Sequence, residues 1–427
     1  MGNQYDEAVR LQSLVKASRL CCRGVGHKES AQSWKIEPTA KCEALQDLIL
    51  SGKMQPGHGR PFKIYEPKER DILPPLFRDR VWQRSMCMNG IYDDMTRSLI
   101  YDNGACQVGK GTEQTVMRMV CLLERYYRGN GNNKGFVRHL DVRGYFPNTP
   151  HAKTIEIINR YVSEQEFIPH LEAIIHSFKD KRPAEVIQKD RFGERGTGLG
   201  SPISQLVQLA ILNDIDHGVC RIGGVRGYIR YMDDIIILTQ TKEAGELAAK
   251  YVIDRLADMG LEVSDKGGNN PMGKGFWFLK KKFILTENGK VLVLPEKGKF
   301  SKERRVLRAL KNKLDAGQIT MLDVENHYES WVSGLMILDA GRRIREMDRF
   351  YTKLFQKKPV YKCKKKSRRY RAMAIKHKTE KELIRDLQAE NARLKAELMR
   401  AQANMDYLSM MTDVDLGTGD EGGDQYE

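Results

Sequence analysis

The chain has 427 residues, 41% of them hydrophobic, enough for two or three domains with a sizeable core, which excludes disorder throughout. Lys and Arg outnumber Asp and Glu by 72 to 56, a formal net charge of +16, and this favours a polyanionic partner such as nucleic acid. The eight cysteines show no CxxC spacing, against a zinc site or a secreted disulfide framework. No apolar run reaches the roughly 20 residues that span a bilayer, and "MGNQYDEAVRLQSLVKASRL" lacks a signal peptide's apolar core, so a soluble, intracellular protein is expected.

Residues 1–60 read as a mixed, partly helical N-terminal extension without recognisable chemistry. "GKMQPGHGRPF" then interrupts the pattern with Gly and Pro and marks a boundary. The following "FKIYEPKERDILPPLFRDRVWQRSMCMNGIYDDM" predicts a short strand, a Pro-rich turn and a helix, with Arg70, Arg78, Arg80 and Arg84 concentrated there. "GFVRHLDVRGYFPN" alternates like a strand, with Val137, His139 and Asp141 on one face and Phe136, Arg138 and Leu140 on the other. Gly144 and Pro147 stop that strand just after Asp141. A helical stretch around 154–178 leads to "ERGTGLGSPISQLVQLAILNDIDHGV", a Gly-rich turn feeding an apolar helix.

In "VRGYIRYMDDIIILTQTKE" two adjacent carboxylates, Asp233 and Asp234, interrupt an otherwise strand-like run. Aspartate is a poor strand residue and costly to bury without a partner or a metal. "GYIRY" and "IIILT" predict two antiparallel strands with Met-Asp-Asp as their tight turn. Placed beside the end of the Asp141 strand, that tip gives two or three convergent carboxylates, which need cations to offset their repulsion and suit Mg²⁺. Two such ions about 3.5–4 Å apart activate a 3′-hydroxyl and stabilise a pyrophosphate leaving group. Alone, an Asp-Asp turn reads more readily as a solvated hairpin turn. The order of the surrounding motifs decides between the two.

Over residues 62–350 those motifs resemble the reverse transcriptases: "YMDD" is similar to the family's Y-x-D-D box and "DVRGYF" to the box that supplies the first aspartate. The resemblance implies an α+β fold of the right-hand polymerase type, with fingers, a palm of antiparallel sheet packed on helices, and a helical thumb. It implies Asp141 and Asp233 as principal metal ligands assisted by Asp234, the backbone at Val142 contributing, and two Mg²⁺ ions with Mn²⁺ as a substitute. Phe146 falls at the steric-gate position, and the backbone around Val142, Gly144 and Tyr145 would face the triphosphate. Arg70 and Arg80 match fingers positions that clamp the triphosphate, a task suited to guanidinium groups. Lys266 matches a lysine after the palm helix, and "GFWFLKKKF" stands where the family has its primer grip.

One box departs from the commonest pattern. Where most reverse transcriptases carry Q-G-x-x-x-S-P, this chain has "LGSPISQ", Leu199, Gly200 and Gln205 included, similar to the form typical of diversity-generating retroelements, whose enzymes copy a template RNA with frequent errors at adenine. Leu199 cannot make the hydrogen bonds of a glutamine amide, so the geometry of the nascent pair is less constrained. Alternatively, Leu199 merely packs a loop while Gly200 supplies the turn.

The helical segment beyond the palm carries Tyr328 and Trp331 among apolar positions, which reads as core rather than as a base-stacking platform. "KKPVYKCKKKSRRYRAMAIKHK" holds eleven Lys or Arg residues and no acid. With Lys364, Lys365, Lys366, Arg368 and Arg369 at its centre, it reads as a phosphate-binding segment or a solvated linker. Ile384, Asn391, Leu398 and Met405 share one heptad position and Leu387, Leu394, Ala401 and Leu408 its partner, a zipper pattern that favours self-association over a helix docked on its own thumb. The acidic, Gly-rich end reads as disordered.

The expected organisation is therefore an N-terminal extension (1–60), fingers and palm (61–290), thumb (291–356), basic linker (357–378), coiled coil (379–410) and acidic tail (411–427). Neither an RNase H domain nor an H-N-H cluster is expected. The resemblance implies a cytoplasmic, bacterial or phage-encoded RNA-directed DNA polymerase. It would take a template or noncoding RNA and dNTPs and release cDNA; the zipper pattern points to a homo-oligomer, and a small basic accessory protein is the partner expected in the retroelement role. Three roles stay open: an enzyme of a diversity-generating retroelement, a defence-associated (antiphage) reverse transcriptase, and a noncatalytic RNA-binding scaffold. The joint presence of Asp141, Asp233 and Asp234 argues against the last.

Overall fold

A computed structural model describes residues 3–65 and 69–361, with positions 266 and 267 described by backbone only. The basic segment around Lys364, Lys365, Lys366, Arg368 and Arg369, the zipper and the acidic tail lie outside the described residues. In chain order, helices α1 (Gln4–Val9), α2 (Leu11–Cys21), α3 (Glu29–Ile36) and α4 (Pro38–Leu50) precede a hairpin of β1 (Phe62–Ile64) and β2 (Arg70–Ile72). Then come α5 (Phe77–Met86), α6 (Tyr92–Thr96), α7 (Thr112–Asn130), β3 (Phe136–Val142), α8 (Tyr145–Asn148), α9 (His151–Tyr161), α10 (Ile168–His176) and α11 (Ala184–Lys189). The middle continues through α12 (Pro202–Ile211), α13 (Asn213–Cys220), β4 (Val225–Tyr231), β5 (Asp234–Thr239), α14 (Lys242–Asp258) and β6 (Val263–Pro271). Strands β7 (Phe276–Phe278), β8 (Lys281–Leu285) and β9 (Val291–Pro295) and helices α15 (Lys299–Asp315), α16 (Met321–Ser333) and α17 (Gly341–Phe355) complete the described chain.

Helices combine with antiparallel sheets, an α+β arrangement as the sequence suggests. The main sheet has the order β4-β5-β3-β6, so β5 and β3 are its interior strands. Its aliphatic run Ile235–Leu238 is fully buried because both faces are covered, the condition under which strands lose their apolar–polar alternation. Leu140, Val142, Ile235 and Ile237 join the core built with α12, α13 and α14. Val137, Ile229, Ile236 and Leu238 join a second core with Val116, Met119 and Leu123 of α7 and with Phe278, Phe283 and Val293 of the β7-β8-β9 sheet.

The strand expected to stop just after Asp141 ends at Val142, and Gly144, at φ +53, caps the short α8. The single helical stretch expected around 154–178 is two helices, α9 and α10, parted at Ser163, whose N–H and hydroxyl donate to the Asp94 carboxylate. Where one short strand was expected near residue 62, there are two, paired Phe62 to Ile72. Residues 291–295 are a strand paired with β8, so the helices that follow begin at Lys299.

The C-terminal described helices enclose a core of their own, in which Tyr328 is 1% exposed. Its ring stacks on Trp331 and lies 4.6 Å from that of Tyr351. Among the described residues, no helix is long and apolar enough to cross a membrane.

Candidate active site

Asp141, the sixth residue of β3, is paired directly with Asp234, the first residue of β5. Residues opposed in an antiparallel ladder share a face, with Cα atoms about 4.5–5.5 Å apart. The expectation of a Met-Asp-Asp turn needs adjustment, because Tyr231 pairs with Asp234 and only Met232 and Asp233 make the connection. Asp234 therefore belongs to the sheet. Met232 adopts φ +56, a left-handed conformation that costs a non-glycine residue about 1–2 kcal/mol. The Val142 N–H donates to the Asp233 carbonyl at 3.1 Å, so the turn is stitched to the end of the Asp141 strand.

His139, two residues before Asp141 and on the same face, places Nε2 at 2.5 Å from Asp234 Oδ1. All three side chains project from the sheet face that Ile236 and Leu238 bury against α7 and the β7-β8-β9 sheet. The carboxylates begin where that apolar cover ends. Carboxylate oxygens such as those of Asp141, Asp233 and Asp234, and a main-chain carbonyl such as that of Val142, are hard donors of the type that suits Mg²⁺ or Mn²⁺ better than a soft ion.

Beneath the turn lies a residue whose role the sequence reading did not assign. Arg230 and Asp216 form an ion pair with both side chains 0% exposed. Arg230 Nη1 donates to the Met232 carbonyl at 3.1 Å and Nη2 to the Leu209 carbonyl at 2.8 Å. Tyr228 completes the group by donating to Asp216 Oδ1 at 2.6 Å. Burial disfavours the Arg230 charge, but Asp216 outweighs it and raises the guanidinium pKa. The signal in the sequence was a lone Arg inside the strand pattern "GYIRY", and nothing local identifies its partner fourteen residues earlier.

Tyr145 is fully buried and its hydroxyl donates to the Gln208 carbonyl at 2.5 Å. Burial pushes its pKa far up, with Asp216 and Asp233 adding to the rise and Arg230 opposing it, so the phenol stays neutral. Phe146 is half-buried beside it, ring edge to ring face. The Phe146 carbonyl accepts from both the N–H and the hydroxyl of Thr197, at 3.0 and 3.3 Å. The Gly-rich loop thus lies against the segment that follows Asp141.

At the end of that loop Leu199 is half-buried and Gly200 exposed. Gly200 sits at φ +114, and a Cβ there would lie 3.7–3.8 Å from Ile72, Leu73 and Pro74, which places the end of β2 over the loop. Gln205 is half-buried in the first turns of α12, a helix capped by Ser201, whose hydroxyl also donates to Gln83 at 3.0 Å. Arg70 opens β2 and is exposed. Arg80 is less accessible, with its guanidinium 5.6 Å from the Phe77 ring centroid and its carbonyl accepting from Cys21 of α2. Lys266 lies on β6 in the irregularity between Asp265 and Asn269, next to the Asp141 strand.

Residues 96–266 match the family model described as reverse transcriptase (RNA-dependent DNA polymerase). That stretch is therefore similar to a reverse transcriptase domain, a class whose members use divalent metal ions. None of the curated proteins matches the chain. Among solved structures, it is similar to apo telomerase from Candida Tropicalis truncated from the C-terminal domain, with 12% sequence identity and a TM-score of 0.36. That similarity covers 57% of this chain and 58% of the other, less than two-thirds of its length.

Proposed function

We propose that this protein copies a dedicated template RNA into cDNA by two-metal nucleotidyl transfer, with Asp141 and Asp233 as the principal metal ligands and Asp234 assisting. The observation that carries the reading is the cross-strand pairing of Asp141 with Asp234, with Asp233 in the adjoining turn. Magnesium held there would favour deprotonation of the primer 3′-hydroxyl and stabilise the departing pyrophosphate. Asp233 and Asp141 hold that charge in place, while the Arg230 anchor under Met232 limits turn movement. Phe146 stands at the edge where an incoming sugar would pack, and its ring excludes a 2′-hydroxyl. Arg70, exposed on β2, contacts the triphosphate. For Arg80 to do the same, its guanidinium must leave the Phe77 ring. In this reading β1 and β2 are fingers, the four-stranded sheet is the palm, and α15 to α17 are a thumb that grips the template–primer duplex through phosphate contacts.

The test is primer extension on an RNA template with dNTPs and Mg²⁺. Wild-type chain extends the primer and Asp233→Ala loses activity by about 10³-fold or more, the scale on which removal of preorganised charge stabilisation is felt. Extension that survives in Asp233→Ala sinks the reading. We further propose that the copying is error-prone at template adenine because Leu199 replaces an amide, as expected of a diversity-generating retroelement. Faithful copying of adenine would instead favour the antiphage role.

A further inference from the structure

His151, His176 and Glu194 meet from three separate segments: the first residue of α9, the last of α10 and the loop before Gly196. One nitrogen or oxygen atom of each lies within 4.8 Å of the others. His151 is only 3% exposed, and its Nε2 lies 2.7 Å from the Gly196 carbonyl oxygen. A carbonyl can only accept, so Nε2 carries the proton and Nδ1 presents a lone pair. That buried Nδ1 has no hydrogen-bond partner and faces Oε2 of Glu194 at 3.5 Å. Two acceptors turned toward one another repel unless positive charge stands between them. A cation bound between them would supply it.

The His176 ring approaches edge-on, with its centroid 5.4 Å from that of His151. His176 and Glu194 are exposed, so both can rotate inward to the roughly 2.0–2.2 Å that zinc requires of nitrogen and carboxylate ligands. We propose that His151 Nδ1, His176 and Glu194 form a binding site for a divalent transition-metal ion, zinc by its donor set, separate from the aspartate centre. Imidazole ligands select zinc-like ions over magnesium. The Nε2–H bond to the Gly196 carbonyl is the outer contact that metal-bound histidines make with their second nitrogen, fixing the ring's orientation.

The ion would pin a loop already tied to its surroundings. The His151 N–H donates to the Glu194 carbonyl and the Gly196 N–H to the Thr149 carbonyl, both at 2.9 Å. Farther along, this loop carries Thr197, bonded to Phe146, and then Leu199 and Gly200. Occupancy therefore fixes the loop against α9 and α10. The site itself requires nothing of the polymerase reading.

The experiment titrates the full chain, stripped of metal by chelation, with Co²⁺ in place of zinc and follows visible absorption and melting temperature. Wild type is expected to develop the bands of a four- or five-coordinate cobalt–imidazole site at one equivalent and to melt higher once Zn²⁺ is added. His176→Ala and Glu194→Gln should each weaken Co²⁺ binding by more than the roughly 10–100-fold that loss of an outer partner costs, and should abolish the Zn²⁺-dependent rise. Asp233→Ala should keep both signals, which separates this site from the aspartate centre. Both replaced ligands are exposed, and circular dichroism of the metal-free variants checks that they remain folded. Absence of bands in wild type, or bands unchanged in folded His176→Ala and Glu194→Gln, overturns the proposal.

Discussion

Asp141 stands directly across from Asp234 on neighbouring antiparallel strands, an arrangement that puts like charges on one face of the sheet. Directly opposed like charges destabilise a sheet by about 0.2–1 kcal/mol. Asp141→Asn should therefore melt about 2 °C higher than wild type in magnesium-free buffer, while primer extension disappears. Addition of Mg²⁺ should narrow the difference. A variant that melts lower at every Mg²⁺ concentration would mean that the opposed charges do not set the stability of this edge.

The buried Arg230–Asp216 pair makes a second prediction. Arg230→Met leaves the Asp216 charge without its partner in the interior and should cost about 3–5 kcal/mol in a denaturation measurement. Replacing the whole polar group, Arg230→Met with Asp216→Leu and Tyr228→Phe, should recover much of that stability. The triple variant still lacks the donor to the Met232 carbonyl, so its rate of extension should stay reduced at saturating dNTP. Wild-type turnover in a stable triple variant would show that the anchor does not position the turn.

Acid sensitivity should come partly from the cluster behind the Gly-rich loop. Burial pushes the Asp180 pKa up, but the Arg182 guanidinium together with the N–H groups of Arg182 and Arg195 overrides this and holds it down to about 2. Asp190 is held lower still, chiefly by hydrogen bonds from Arg195, with Arg182 contributing and burial opposing. A carboxyl whose folded pKa lies below its unfolded value of about 3.9 stabilises the fold above that value, and the contribution is lost as pH falls. For Asp180 this amounts to about 2 kcal/mol, withdrawn between about pH 4 and pH 2. Denaturant midpoints should fall across that window, and Asp180→Asn should lower the neutral-pH midpoint while flattening the acid slope.

Leu199→Gln offers the amide that this loop lacks. Misincorporation opposite template adenine should fall relative to wild type when cDNA products are sequenced, with little change at the other bases. An unaltered adenine error rate would leave Leu199 as a packing residue only.

Phe146→Ala removes the ring proposed to gate the incoming sugar. Incorporation of ribonucleotides relative to deoxynucleotides should then rise by about tenfold or more, the scale of removing one hydrophobic contact from a specificity pocket.

Much of the sheet was legible because the information is local. Period-2 alternation marks the Asp141 strand, and a turn between two apolar runs marks the β4–β5 hairpin, whatever they pack against. The two-sided burial of Ile235–Leu238 was implicit in an uninterrupted aliphatic run. Other features resisted the same reading. The break between α9 and α10 depends on Asp94 accepting from Ser163, across 69 residues of sequence. The extra strand β2 depends on its pairing with β1.

By itself, the sequence determined the residue types and spacing of the chemistry: carboxylates at a strand end and at a hairpin turn, and a glycine-rich loop before an apolar helix. Tertiary structure alone decided that Asp234 lies in the sheet opposite Asp141, that Arg230 is spent on Asp216 and the Met232 carbonyl, and that His151, His176 and Glu194 face one another. The physical reason is that propensity and periodicity act within a few residues, whereas charge pairing and metal coordination depend on distances through space. Those distances arise only when the sheet and its covering helices have packed.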